Sequence, residues 1–80
     1  MKIRALIVDD EPRARSRMRR LLDPHEDVVI VGEAENADQA LQKVLEARPD
    51  LVFLDVQMPG ALGTELAARL RDYLPDAVRP

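Results

Sequence analysis

The sequence predicts an α/β domain of three layers, with helices on both faces of a parallel sheet. Three short runs rich in Ile, Leu and Val alternate with segments in which apolar residues recur at the spacing of an α-helix. This alternation is typical of a parallel sheet whose right-handed crossovers place the helices on its faces. At 80 residues, the chain has room for one small domain or for part of one.

The first half of the chain is expected to form a strand, a helix and a second strand. Residues 3–8 lack strict alternation, which favours a strand covered on both faces. Asp10 as N-cap and Pro12 at an early helical position predict the start of the first helix. Residues 28–31 predict the second strand, and Gly32 marks where the chain leaves it. The residues expected on the core face of the first helix are Ala14, Met18, Leu21 and Leu22.

The second half of the chain repeats this pattern. Asn36 or Ala37 is expected to open a second helix, which residues 48–50 end, and residues 51–54 predict the third strand. A third helix follows. The residues at helical spacing are Ala37, Ala40, Leu41, Val44 and Leu45 in the second helix, and Leu66, Ala67, Leu70, Tyr73 and Leu74 in the third.

Composition argues against several classes of function. Twelve Lys and Arg against fifteen Asp and Glu give a net charge of −3, so we expect no direct binding of nucleic acid. Because the chain has no Cys, disulfides, thiolate zinc sites and Cys nucleophiles are excluded, and a reducing cytoplasmic location is expected. The N-terminal apolar run is too short for a signal-peptide core, and we expect no membrane span.

Three carboxylates are expected to meet at one edge of the sheet. Asp9 and Asp10 follow the first strand, and Asp55 follows the third. If these strands are neighbours, their backbones lie about 4.8 Å apart, and the acids converge where ligands of open α/β sheets bind. Ionised carboxylates this close repel each other unless a proton or a cation neutralises them. Oxygen ligands without His or Cys suit Mg²⁺. Capping alone would explain either strand-end acid taken singly, but explains the combination less well.

Asp55 is the candidate nucleophile. A carboxylate fixed beside a metal can attack phosphorus and form an aspartyl-phosphate. Asp55 stands alone after its strand, whereas Asp9 and Asp10 are adjacent, as expected of a pair of metal ligands. Enzymes of the haloacid-dehalogenase type also use a strand-end Asp nucleophile, but they need a second acid two positions later, where this chain has Gln57. We therefore do not expect an enzyme.

Two segments resemble the receiver domain of response regulators, the phosphoacceptor half of two-component signalling. They are LIVDDEP, residues 6–12, and PDLVFLDVQMPG, residues 49–60, which is followed by Gly63. The resemblance covers the whole chain, and the paired acids with the D-x-x-M-P-G stretch are its most specific part. It implies a flavodoxin-like (CheY-like) fold with strand order 2-1-3. Details such as DDEP and VVIVGEA are most similar to receivers of LytTR-type regulators.

The resemblance also implies a role for each residue of the site. Asp55 would be phosphorylated, Asp10 and Asp55 would bind Mg²⁺ directly, Asp9 would act largely through water, and Gln57 would add its backbone carbonyl. A sensor histidine kinase would be the partner. Phosphorylation would switch an output domain, expected to bind DNA and regulate transcription.

The sequence departs from the family in its extent. A complete receiver has five strands in the order 2-1-3-4-5, and this chain is expected to stop after its third helix. We therefore interpret residues 1–80 as the N-terminal part of a receiver domain, with its last two strands and helices absent. Receiver domains carry a Lys after the fifth strand, and neither Lys2 nor Lys43 can replace it. They also carry a hydroxyl residue at the end of the fourth strand, and Thr64 cannot replace it. Phosphotransfer to Asp55 should be slow or absent.

The alternative is a module that only binds other proteins, with acids that are inherited but idle. An incomplete sheet would leave the third strand as an open edge, so self-association is expected, edge to edge or by exchange of the third helix.

The arginines of residues 13–20 are expected to form a solvated helix face rather than a nucleic-acid patch, although a kinase could dock there. His25 is expected to have no metal or phosphorelay role.

Overall fold

The computed structural model describes residues 2–54, Ala68 and residues 78–79. The elements, in chain order, are β1 (Ile3–Val8), α1 (Pro12–Leu22), β2 (Val28–Ala34), α2 (Ala37–Ala47), β3 (Leu51–Leu54) and β4 (Val78–Arg79). All strands are parallel, in the order β2-β1-β3-β4. The predicted α/β class and the order 2-1-3 are confirmed. The predicted third helix lies outside the described residues, except for Ala68, which is helical.

The expectation that the third strand forms an open edge is wrong over its two middle residues. Val52 pairs with Val78 and Phe53 pairs with Arg79, so a fourth strand begins beyond the predicted third helix. A single β-branched residue in a two-residue strand is too weak a pattern to be recognised from sequence.

The start of α1 differs from the prediction in the identity of its cap. Glu11, not Asp10, occupies the N-cap position, and its side chain makes no capping hydrogen bond. Pro12 is the first helical residue, as predicted, and its fixed φ suits that position. The carboxylate that orders this turn is Asp9, whose Oδ1 accepts a hydrogen bond from the Glu11 N–H at 3.0 Å.

Strand β2 continues through Gly32, where the sequence predicted its end. The register with β1 shifts between Ala5, which pairs with Ile30, and Leu6, which pairs with Gly32, so Val31 is an extra residue in β2. A Cβ at Gly32 would lie 3.4 Å from Leu6 Cδ1 and 3.6 Å from Lys43 Cδ. A methyl group at this position would thus make ordinary van der Waals contacts with β1 and α2, and the strand continues through the glycine without a turn.

Helix α2 has the ends that the sequence predicts. The Asn36 side chain accepts a hydrogen bond from the Gln39 N–H and caps the first turn. Arg48 ends the helix with a φ of 47°, and Pro49 after it is buried. Asp50 then anchors the start of β3 to β1, because its N–H donates to the Arg4 carbonyl and its Oδ2 accepts from the Arg4 N–H.

The core lies between the sheet and α2. Its buried members are Leu6, Val8, Ala34, Ala37, Ala40, Val44, Val52 and Leu54, with Leu41 packed against them. Ala5 and Ile7 of β1 are also buried, so this strand is covered on both faces, as predicted. Leu45 was predicted to belong to the apolar face of α2 but is half-exposed.

Helix α1 covers the other face of the sheet only loosely. None of its residues is buried, and Ala14, Met18 and Leu22 are partly exposed. Leu21, which the sequence placed on the core face, is 62% exposed. The apolar residues 14, 18, 21 and 22 form a stripe along α1, and only part of this stripe faces the sheet. Within the described residues, no helix is long and apolar enough to cross a membrane.

Candidate metal and phosphoacceptor site

Three strands end together at one edge of the sheet. Val8 pairs with Ala34 on one side and with Leu54 on the other, so the last residues of β1, β2 and β3 are aligned. Asp9 and Asp10 follow Val8 in the loop to α1. Asp55 is the next residue in sequence after Leu54. Asp55 and Gln57, which complete the predicted site, lie outside the described residues, and their roles stay predictions.

Asp9 is held at this edge by three hydrogen bonds. Its N–H donates to the Ala34 carbonyl at 3.0 Å, which extends the β1–β2 ladder by one residue. Its Oδ1 accepts from the Glu11 N–H, and its backbone carbonyl accepts from Arg15 Nη1 at 2.7 Å. Among the described residues, no donor contacts Oδ2. One oxygen of this partly buried carboxylate is thus engaged within the chain.

Asp10 differs from Asp9 in being exposed, and within residues 2–54 its carboxylate makes no hydrogen bond or ion pair. Its carboxylate oxygens are therefore accessible to a cation. The two acids thus differ in accessibility, and the predicted division of roles, in which Asp10 is the direct ligand, stays a prediction.

The described part of the chain does not complete a metal site. No three His, Asp or Glu side chains gather there in a way that could hold a metal ion. Two adjacent carboxylates at a strand end are nevertheless compatible with Mg²⁺, which usually takes one or two protein carboxylates and keeps several waters. The donors present are all oxygens, as this ion requires.

The sequence missed a cluster of charges beside the acids. Arg15 Nε donates to Glu33 Oε1 at 3.1 Å, and Arg19 Nε donates to Glu33 Oε2. The side chain of Arg15 is 17% exposed and that of Glu33 is 29% exposed. The prediction of a solvated arginine face is therefore wrong for Arg15, whereas Arg19 is exposed as predicted. The i, i+4 spacing of the two arginines and the acid near the end of the neighbouring strand were the signals in the sequence.

On the side of β1 that faces β3, an open apolar cavity of about 260 Å³ lies between α1 and β3. Its lining includes Ile7, Met18 and Phe53, together with Asp9 at its rim. Met18 and Phe53 are only partly buried. The cavity follows from the loose packing of α1.

Comparisons with known proteins agree with this geometry. A family model described as the response regulator receiver domain matches residues 5–78. The transcriptional regulatory protein BtsR of Salmonella typhi is 50% identical over 68 residues, which are 85% of this chain and 28% of that protein. The sensory transduction protein LytT of Oceanobacillus iheyensis is 40% identical over 76 residues, 95% of this chain and 31% of that protein.

A solved structure gives the same result for the fold. The receiver domain of the response regulator NarL from Mycobacterium tuberculosis superposes with a TM-score of 0.85 at 38% identity, covering 96% of this chain and 63% of that one. The chain spans about a third or less of the length of its curated relatives BtsR and LytT. The match to LytT agrees with the predicted likeness to LytTR-type receivers. By sequence and by fold, the chain belongs to the receiver domain family of two-component response regulators.

Proposed function

We propose that this chain carries the phosphoacceptor site of a two-component response regulator, with Asp55 as the residue phosphorylated in the presence of Mg²⁺. The observation that carries the proposal is the alignment of Val8 with Leu54, because Asp9 and Asp55 are the next residues after these partners in sequence. A phosphohistidine of a sensor kinase is the proposed donor. Its phosphorus would bond to a carboxylate oxygen of Asp55 as the bond to the histidine nitrogen breaks.

The roles proposed for the other residues are those that the resemblance to receiver domains implies, and the accessibility of Asp9 and Asp10 supports them. Asp10 is exposed and is proposed as a direct metal ligand, together with Asp55 and the backbone carbonyl of Gln57. Asp9 is fixed through its Oδ1 and is proposed to act through water from its other oxygen. Bound Mg²⁺ would offset the negative charge shared by carboxylates and phosphoryl group.

The two lysines of this chain are proposed not to assist phosphotransfer. Lys2 Nζ donates to the Glu26 carbonyl at 2.6 Å, at the edge of the sheet opposite the acids. Lys43 lies on α2, with its aliphatic chain over Gly32. Because a fixed cation normally stabilises the transferring phosphoryl group, this chain alone is expected to react slowly.

The output is proposed to be transcriptional regulation through a separate DNA-binding domain. BtsR is named a transcriptional regulatory protein, and the matched segment is less than a third of its length. With a net charge of −3, the present chain is proposed to leave DNA contact to that domain.

An Mg²⁺ titration followed by NMR tests the proposal. In the unchanged chain, the amide signals of Asp9, Asp10 and Gln57 should shift first and saturate together. Asp10→Asn should weaken binding at least tenfold, because a direct ligand loses its charge. Asp27→Asn is the matched control, since this exposed acid precedes β2 at the opposite edge of the sheet. Equal effects of the two substitutions, or shifts confined to the arginines of α1, would contradict the proposal.

A second candidate function is protein–protein association without phosphorylation. The open cavity between α1 and β3 favours it, because Met18 and Phe53 there are partly exposed. Pairing of β4 with β3 weakens the argument for edge-to-edge association, and exchange of the third helix concerns residues outside the described part. Light scattering over a concentration series tests self-association, the form of this candidate that a monomer at high micromolar concentration would contradict.

A further inference from the structure

The Asp9 carbonyl receives a charged hydrogen bond from α1. The donor is Arg15 Nη1, at 2.7 Å, and the carbonyl belongs to the peptide group that joins Asp9 to Asp10. The orientation of this peptide plane sets the direction in which the Asp10 side chain leaves the backbone. A group that fixes the plane therefore also fixes the acid pair.

The other contacts of Asp9 do not hold this peptide. The bond from its N–H to Ala34 fixes the preceding peptide to β2, and the bond to its Oδ1 orders the turn at Glu11. Arg15 is the residue, among those described, that bonds to the carbonyl between the two acids.

Arg15 is itself held in place from β2. Its Nε donates to Glu33 Oε1, while the other carboxylate oxygen of Glu33 accepts from Arg19. Both nitrogens that Arg15 uses belong to one planar guanidinium group, so Glu33 and the Asp9 carbonyl together fix its orientation. The Arg15 side chain is 17% exposed, which shields these bonds from water.

We propose that Arg15 is a positioning residue for the metal site, holding the peptide between Asp9 and Asp10 so that both carboxylates face one cation. The inference rests on the proposed function, because it assigns Arg15 a role at that Mg²⁺ site. In this role Arg15 would act through the Asp9 carbonyl, without contact to the metal or the phosphoryl group.

The direction in which Mg²⁺ affinity changes when Arg15 is replaced separates a positioning role from an effect of charge alone. Removing a positive charge near a cation site should tighten Mg²⁺ binding if Arg15 acts only through its charge. If Arg15 positions the acids, the same change should weaken binding. A purely structural role would lower the stability of the fold and leave Mg²⁺ affinity unchanged.

The experiment compares Mg²⁺ affinity by NMR in the unchanged chain and in Arg15→Gln, Arg15→Lys and Arg17→Gln. Arg15→Gln should weaken binding about tenfold, the usual size for loss of a residue that orients a metal ligand. Arg15→Lys should also weaken it, because a single nitrogen cannot bond Glu33 and the Asp9 carbonyl in the same fixed geometry. Arg17→Gln is the matched control, since Arg17 is an exposed arginine of the same helix, and it should leave affinity unchanged or slightly tightened.

Thermal unfolding and the carbonyl ¹³C signal of Asp9, both measured without metal, complete the test. The Asp9 signal should move in both Arg15 variants and stay in place in Arg17→Gln. Tighter or unchanged Mg²⁺ binding in Arg15→Gln, with a folded spectrum, overturns the inference and leaves the proposed function intact. If the unchanged chain binds no Mg²⁺, the proposed function fails, and the Asp9 signal still shows whether Arg15 holds the peptide. Should Arg15→Gln fail to fold, Arg15→Lys, which keeps the charge and the aliphatic chain, supplies the decisive affinity.

Discussion

The two helices of the described region are attached to the same sheet by different forces. Helix α2 buries Ala37, Ala40 and Val44 in the apolar core. Helix α1 buries no residue, and polar bonds from its arginines to β2 and to the loop of Asp9 help to hold it. The described acids of the candidate site, Asp9 and Asp10, lie in the loop that leads into α1. The acids are thus carried by the more weakly packed side of the domain, where polar contacts determine the geometry.

The loss of stability should differ most between the two sides when a leucine on each side is truncated to alanine. Leu6→Ala removes a fully buried side chain from the core under α2 and should lower the free energy of unfolding by about 3 kcal/mol. Leu21→Ala, on α1, should cost less than about 0.5 kcal/mol because the side chain is 62% exposed. Urea unfolding measures both, and a cost above 1 kcal/mol for Leu21→Ala would mean that α1 packs more tightly than described.

A smaller difference is expected between the helix caps. Asn36→Ala removes the side-chain bond to the Gln39 N–H and should destabilise the fold by about 1 kcal/mol. Glu11→Ala changes a cap that makes no such bond and should cost less than about 0.5 kcal/mol. Thermal unfolding of the two variants under one buffer condition tests this. Similar losses would show that Glu11 stabilises α1 in a way that the described contacts do not include.

The ion pair between Arg19 and Glu33 should contribute less to stability than the Asn36 cap. Arg19→Gln should cost about 0.5 kcal/mol at low salt, because the Arg19 side chain is 48% exposed and surface ion pairs are weak. The cost should shrink in 1 M NaCl, where charges are screened within about 3 Å. A loss that does not depend on salt would argue that Arg19 acts through packing.

The smallest effect is expected at Gly32, where the core under α2 meets β2. Gly32→Ala would place a methyl group 3.4 Å from Leu6 Cδ1, which is tolerable contact. The substitution should change stability by at most about 0.5 kcal/mol, because reduced freedom of the unfolded chain offsets the slight crowding. A loss above 1 kcal/mol would show that neither Leu6 nor the Lys43 stem can give way.

The α2 side was also the more predictable from sequence. The apolar runs of β1 and β3, the helix start at Asn36 or Ala37 and the break at residues 48–50 are local patterns, and the elements that they predict were confirmed. The errors arose where tertiary contacts override a local pattern. Gly32 looks like a strand end but lies within β2, and Leu21 follows the helical period but faces solvent.

For the candidate site, the sequence predicted the acids but not what holds them. The position of Asp9 and Asp10 at the end of β1 was predicted from the apolar run before them. The bonds from Arg15 to Glu33 and to the Asp9 carbonyl depend on β2 lying beside β1 and on how α1 is rotated. Neither is encoded in a short stretch of sequence, so the arginines were interpreted as a solvated face.

Mass spectrometry after incubation with acetyl phosphate and Mg²⁺ tests the central claim most directly. We expect slow and incomplete phosphorylation of this chain, confined to Asp55, absent without Mg²⁺ and absent in an Asp55→Asn variant. The Asp27→Asn variant should react like the unchanged chain. Phosphorylation that persists in Asp55→Asn would contradict the assignment of the acceptor. Rapid, stoichiometric reaction at Asp55 would contradict the expectation of slow phosphotransfer, which rests on the positions of Lys2 and Lys43 away from the acids.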